Sequence, residues 1–303
     1  MDNAAHIPAI CFGEVLWDVL PQGPQPGGAA LNVAYHLRKM GIESGLASRI
    51  GKDIQGENLE KLLDLWGIKK HLLQFDEHYP TSEVIATLNE YNEASYEIVF
   101  PVAWDFISDS KSITAAIKST TYVIYGSLAC RNQVTRDTLL DILEKESIKV
   151  LDINLRPPYI DRALLIELLN RANIAKLNHT ELESVQSLFQ GRYSHETSQV
   201  KFVQERFNIP EIVITKGEFG ASYYKNNEAY HVAGYEVDVK DTVGSGDAFL
   251  AAFIANHYLN ESPVTILKNA MSMGGFVATK PGGCPEYKFS EYVTFREQLF
   301  SGV

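Results

Sequence analysis

Along most of this chain, short apolar runs that end in glycine or polar turns alternate with stretches of helical spacing. Tyr122-Val123-Ile124-Tyr125-Gly126-Ser127-Leu128 gives way to residues 136–146, where Leu139, Leu140 and Leu143 fall on one side. Residues 149–156, 172–182 and 211–221 each carry a strand into a turn. This alternation predicts an α/β fold: a doubly wound, mostly parallel central sheet flanked by helices. One region departs from it. Residues 81–88 and 95–100 are β-like runs joined by Asn89-Glu90-Tyr91-Asn92-Glu93, a hairpin pattern that predicts a small second sheet. At 303 residues the chain can bury a sizeable core, as one large domain or two ordinary ones.

Toward the C-terminal end, Gly244-Ser245-Gly246 turns into Asp247 and the apolar run Ala248-Phe249-Leu250-Ala251-Ala252-Phe253-Ile254-Ala255, a helix start. A glycine-rich turn that feeds a helix presents free backbone N–H groups and the positive end of the helix dipole, which together cradle an anion. A carboxylate inside such a cradle is a candidate base, placed where negative charge develops during group transfer. A lone Gly-Ser-Gly-Asp also fits a first-turn acid on a core helix. The preceding Asp241-Thr242 and the long run of small residues favour the functional reading.

At the other end, residues 10–20 read as a first strand with polar interruptions, 21–28 as a loop rich in Pro and Gly, and 29–40 as a helix stopped by Gly41. Gly27-Gly28 without a third glycine is a poor dinucleotide fingerprint, which argues against a dehydrogenase. Residues 47–56 give a strand and a turn in which Asp53 bonds its own backbone, followed by a helix over 57–66. At the end of the 149–156 strand, Asp152, Asn154 and Arg156 alternate to one face, and strand carboxyl ends are where open α/β sheets bind ligands. An ion pair between Asp152 and Arg156 is the competing reading. Asn178 can cap the helix that follows it, with Glu181 one turn on, so both can face one hydrated cation; a plain capping box is the alternative. Residues 221–224 and 228–232 form a further hairpin pattern, and 263–279 a helix rich in small residues. Cys284 reads as a buried small side chain with no base beside it, and His179 as a bystander.

A net charge of -11 and a pI near 5.2 argue against a general nucleic-acid or anionic-membrane surface. They leave room for an anionic nucleotide, because a local cradle can oppose the global sign. Cys11, Cys130 and Cys284 are widely spaced and odd in number, which suggests free thiols in a reducing compartment. With no basic, signal-type segment in residues 1–8 and no run long enough to span a bilayer, a cytoplasmic enzyme is the expectation.

Read together, these segments resemble the ribokinase-like (pfkB-type) carbohydrate kinases over residues 9–300. Asp241-Thr242-Val243-Gly244-Ser245-Gly246-Asp247-Ala248-Phe249 matches the family's D-T-x-G-[AS]-G-D-x-F pattern. Gly27-Gly28-Ala29-Ala30-Leu31-Asn32-Val33-Ala34 matches G-G-x-x-x-N-x-A. Asn178-x-x-Glu181 and the Thr215, Gly217, Gly220 segment match two more motifs. The resemblance implies a single kinase domain over 1–303, with a small β lid from segments near 15–25 and 72–103. It implies ATP-dependent transfer of the γ-phosphoryl group to a sugar hydroxyl. Asp247 becomes the base, and Gly244, Ser245 and Gly246 the anion hole. Asp18, Gly28, Asn32, Phe100 and Arg156 become the sugar contacts. Lys176, Asn178, Thr215, Gly217 and Gly220, with Gly244 and Gly246, fall to the nucleotide. Glu181 and Asn178 are implied to hold Mg2+ through water, and Asp241 a monovalent cation such as K+. Gly13-Glu14, Phe100-Pro101-Val102-Ala103-Trp104-Asp105 and Asp-x-Asn-x-Arg resemble fructokinases most. A 2-keto-3-deoxygluconate kinase or another ribokinase-family sugar kinase is the alternative within the family, and a sugar-binding regulator that has lost catalysis the alternative outside it. A homodimer paired through the lid sheet is a further expectation.

Overall fold

The structure is a computed structural model and describes residues 7–20, 23–88 and 94–301. In chain order it begins β1 (Ala9–Phe12), β2 (Leu16–Leu20), β3 (Gly23–Gly27), α1 (Ala29–Lys39), β4 (Ser44–Ala47) and β5 (Arg49–Gly51). Then come α2 (Ile54–Trp66), β6 (Gln74–Asp76), β7 (Ser82–Leu88), β8 (Ala94–Ile98), α3 (Lys111–Ile117), β9 (Tyr122–Gly126) and α4 (Gln133–Leu143). The next elements are β10 (Ile148–Asp152), α5 (Arg162–Leu169), β11 (Ile174–Asn178), α6 (His179–Leu188), α7 (Glu196–Phe207) and β12 (Glu211–Thr215). The chain ends with β13 (Ala221–Lys225), β14 (Glu228–Val232), α8 (Ser245–Tyr258), α9 (Pro263–Ala278) and α10 (Phe289–Ser301).

An eight-stranded sheet runs β14-β13-β12-β11-β10-β9-β1-β4. Every pair in it is parallel except β12 with β13 and β13 with β14. Side chains alternate between its faces, as the pleat requires. Ala9, Cys11, Tyr122 and Ile124 enter one apolar cluster, with α1, α2, α8, α9 and α10. Ile10, Phe12, Val123 and Tyr125 enter the other, with α3 to α7. This is the doubly wound α/β architecture that the alternating sequence predicts. Helix α8 is buried along Ala248–Ala255, so it needs no polar face there. Phe253 packs edge-on against Tyr223 with ring centroids 5.0 Å apart.

The second sheet has the order β3-β2-β7-β8. Here the structure corrects three sequence expectations. The first strand read over 10–20 is two strands in different sheets. Gly13, at φ 146, ends β1, and its carbonyl accepts from Ser48 Oγ at 2.6 Å. The chain then crosses to the small sheet at Leu16. The Pro/Gly-rich loop over 21–28 contains strand β3, antiparallel to β2; Pro24 and Pro26 are tolerated because β3 is an edge, where a missing N–H costs no ladder bond. The small sheet excludes the start of the 72–103 segment, since β6 pairs instead with β5 in a ladder of its own. The connection expected at 89–93 lies outside the described residues. Helix α2 starts three residues before the predicted position because Asp53 caps it, accepting from Gly56 N at 2.7 Å and tying it to Thr81.

Candidate active site

The carboxyl ends of β1, β10, β11 and β12, the N-termini of α1 and α8, and one face of the small sheet enclose a single cleft of about 1290 Å³. That exceeds the usual size of a one-ligand pocket and leaves room for two ligands end to end. Of the residues singled out from sequence, Asp18, Gly28, Asn32, Phe100, Arg156, Lys176, Asn178, Glu181, Thr215, Gly217, Gly220, Gly244, Ser245, Gly246 and Asp247 all line it. Asp241 lies outside the lining. Its Oδ1 accepts from Val243 N at 3.0 Å and its Oδ2 from Gly282 N at 2.8 Å, so it shapes the turn before α8.

Asp247 sits in the first turn of α8, half-buried, with Oδ2 accepting from Asn32 Nδ2 at 2.8 Å. Burial pushes its pKa up to about 6, and neighbouring Asp152 adds to this, against the pull of the Asn32 bond and the Lys176 ammonium. The turn that delivers it depends on Gly244, at φ 72, where a Cβ would overlap the Cα of Gly283. Ser245 spends its polar groups inward: its amide donates to Thr242 O at 3.2 Å and its hydroxyl to Gly274 O at 3.0 Å. The Ala248 amide is likewise taken by Gly244 O. First-turn amides have no carbonyl within their own helix, so Gly246 and Asp247 supply the donors that remain for an anion.

At the end formed by the small sheet, Asp18 on β2 has a pKa raised to about 6, first by burial and then by Asp241. A Cβ on Gly27, across the ladder, would overlap the Asp18 carboxylate. Gly28 has φ 106, and a Cβ on it would lie 2.5 Å from Glu14 O. Glu14 is a site residue that sequence reasoning used only as a likeness. It is buried in the cleft, and its Oε1 accepts from Ala29 N at 3.2 Å, the first amide of α1. Burial raises its pKa. Its signal was a carboxylate directly after the glycine that ends β1. Phe100 is 51% exposed, and its ring lies 5.0 Å from the Arg131 guanidinium, which Asp105 holds at 2.7 and 2.9 Å.

Asp152 and Lys176 face each other across β10 and β11, with Nζ 3.0 and 2.8 Å from the two carboxylate oxygens. The alternative pairing with Arg156 is not formed; Arg156 is exposed on the cleft wall. Burial alone lowers the Lys176 pKa, but the attraction of Asp152 outweighs it and the pKa is raised. A Cβ on Gly246 would lie 3.4 Å from this ammonium, so the charge sits beside the start of α8. Asn178 and Glu181 form the full capping box: Glu181 N donates to Asn178 Oδ1 and Asn178 N to Glu181 Oε2, each at 2.8 Å. Leu155 N donates to Glu181 Oε1 at 3.0 Å. Capping and cleft lining therefore coexist in one residue. Thr215 ends β12 beside Asn178, and Gly217 (φ 57) and Gly220 (φ 102) turn the chain along the cleft.

The sequence pattern that describes pfkB family carbohydrate kinases matches residues 12–288. The chain belongs to the pfkB family of carbohydrate kinases. As in its relatives, the chemistry of the family is phosphoryl transfer to an alcohol acceptor. The fructokinase of Escherichia coli is 25% identical over 257 residues, covering 80% of this chain and 82% of that protein. Solved pfkB-type folds superpose closely. Fructokinase with bound ATP from Xylella fastidiosa gives a TM-score of 0.84 at 19% identity, over 96% of this chain and 99% of that one. Fructokinase from Vibrio cholerae O395, in a form with fructose, ADP and calcium, gives 0.79 at 23% identity, over 97% and 100%. At these identities the structural likeness shows the fold. No helix among the described residues is long and apolar enough to cross a membrane.

Proposed function

We propose that this pfkB-family kinase transfers the γ-phosphoryl group of ATP to a hydroxyl of fructose. One observation carries the reading: a half-buried carboxylate, Asp247, occupies the first turn of a helix whose free amides face the same cleft. Asp247 takes the proton from the sugar hydroxyl, whose oxygen attacks the γ-phosphorus as ADP leaves. The Gly246 and Asp247 amides and the nearby Lys176 ammonium oppose the charge on the transferred group. Asp18 and Asn32 orient the sugar, with Gly28 allowing close approach and Phe100 and Arg156 forming the wall. Thr215, Gly217 and Gly220 receive the nucleotide.

Mg2+ suits this cleft as a hydrated ion. Glu181 is buried there with both oxygens already accepting amides, which fits a carboxylate that orders water on the ion better than one that strips it. Glu181 and Asn178 would hold the ion through its water, where its charge would offset that of the nucleotide phosphates. Each oxygen of Asp241 accepts one backbone amide and keeps a lone pair, so the residue shapes its turn and stays the candidate ligand for K+.

The cleft lining also supports a neutral sugar over an acid one. Glu14, Asp18, Asp152, Glu181, Glu218, Glu236 and Asp247 line it against Arg156 and Lys176, and Lys176 is already paired with Asp152. A sugar carboxylate, as in 2-keto-3-deoxygluconate, would meet mostly like charge. ADP release measured over fructose, tagatose, ribose, 2-keto-3-deoxygluconate and nucleosides tests this. Fructose is expected to give the highest kcat/KM; a higher value for 2-keto-3-deoxygluconate or ribose would overturn the sugar assignment and leave the kinase reading standing.

A further inference from the structure

The loop after α9 presses onto α1 beside Asn32. A Cβ on Gly283 would lie 2.6 Å from Asn32 Nδ2 and 2.9 Å from Oδ1, so only glycine lets the loop cover the amide. Helix α1 itself fixes this loop. His36 Nε2 lies 2.9 Å from Gly283 O and its Nδ1 lies 3.0 Å from the Tyr287 hydroxyl. Tyr35 donates its hydroxyl to Pro285 O at 2.6 Å, and Lys39 Nζ donates to Tyr287 O at 2.8 Å. His36 is fully buried, and burial takes its pKa down to about 4, so the ring is neutral at pH 7. A neutral ring has one donor and one acceptor. Nε2 faces a carbonyl and must carry the proton, which leaves Nδ1 to accept from Tyr287.

The held loop brings Cys284 Sγ to 3.2 Å from Asn32 Oδ1, while Asn32 Nδ2 donates to Asp247 Oδ2 at 2.8 Å. Burial keeps the thiol protonated, its pKa raised well above 9. A thiol donates and a carboxylate accepts, so the two neighbours choose one of the two amide orientations. The flipped amide would set oxygen against carboxylate and NH2 against S–H. We propose that Asn32 is a positioning residue for Asp247, and that the Cys284 thiol and the pinned 282–287 loop hold its amide in the orientation that donates to the base. This rests on the reading of Asp247 as the base.

The groups that face Asp247 are Asp152 on β10, Glu14 after β1, Lys176 on β11, and the thiols of Cys11 and Cys284. The Asn32 bond also acts on Asp247 and is neutral, so it can be weakened without changing any charge in the site. The test is the pH profile of kcat with fructose for wild type, Cys284→Ala, Cys284→Ser and Asp247→Asn, read beside thermal melts. Cys284→Ala removes the donor. Its acid limb is expected to move up by about half a unit to one unit, the scale of one net hydrogen bond, while the fructose KM changes less than kcat at pH 6. Cys284→Ser keeps a donor and is expected to hold the wild-type limb. An unmoved limb in Cys284→Ala, or equal shifts in both Cys284 variants, would overturn the positioning role. Near-normal turnover in Asp247→Asn would instead overturn the base reading on which it stands.

Discussion

Asp247 carries two opposite consequences of one pKa. As a base it must be ionised, so kcat is expected to fall about tenfold per pH unit below its pKa of about 6. Stability runs the other way. The folded state holds this proton up to about pH 6, whereas the unfolded chain releases it near 3.8, so the folded state binds more protons across that window. Stability therefore drops as pH rises from about 4 to 6, and Asp18, also raised to about 6, adds in the same direction. Asp247→Asn removes the buried charge and keeps a partner for Asn32. It is expected to be more stable than wild type at pH 7.5, by on the order of 1 kcal/mol, with the gap closing near pH 4. Paired thermal melts at the two pH values check this; equal melting points at pH 7.5 would show that the site does not strain the carboxylate. At this scale the sequence was informative where a side chain follows a turn: Asp247 after Gly246, Asn178 before Glu181. It was uninformative where chemistry comes from pairing across strands. Nothing local marks Asp152 and Lys176 as partners, because strands β10 and β11 meet only once the sheet has formed.

Among the elements, the start of α6 joins structure and function most closely. Glu181 completes the cap of its own helix, bonds Leu155 N after β10, and lines the cleft. Glu181→Gln keeps size and part of the bonding but removes charge. It is expected to raise the Mg2+ concentration needed for half-maximal rate, and to cost about 1 kcal/mol of stability because the new NH2 group cannot accept from one of the two amides that Glu181 satisfies. A magnesium titration beside a thermal melt separates the two effects: a lower melting point with an unchanged Mg2+ curve would leave Glu181 a cap and nothing more. Element boundaries were legible where caps and glycines stand in the sequence, as in α1, α8 and α9. They were illegible at β2 and β3. Alternating Pro24 and Pro26 look like a loop until one knows that the strand is an edge, and edge position is a tertiary fact.

At the scale of the molecule, the doubly wound sheet explains why residues more than two hundred positions apart in the chain share one hydrogen bond. Asn32 on α1 and Asp247 on α8 belong to helices that pack on the same face of the sheet, and the cleft opens at the strand ends both helices leave. The alternating pattern predicted that architecture; the two-sheet path of residues 9–20 needed the structure, because only the short Gly13-Glu14-Val15 link separates the two strands in the sequence. In the proposed reaction this cleft performs phosphoryl transfer with Asp247 as base. Its most direct measurement is the rate of ADP release with saturating ATP and fructose, for wild type and Asp247→Asn. The variant is expected to lose about two to four powers of ten in kcat with fructose binding retained; near-wild-type turnover would rule out Asp247 as the base.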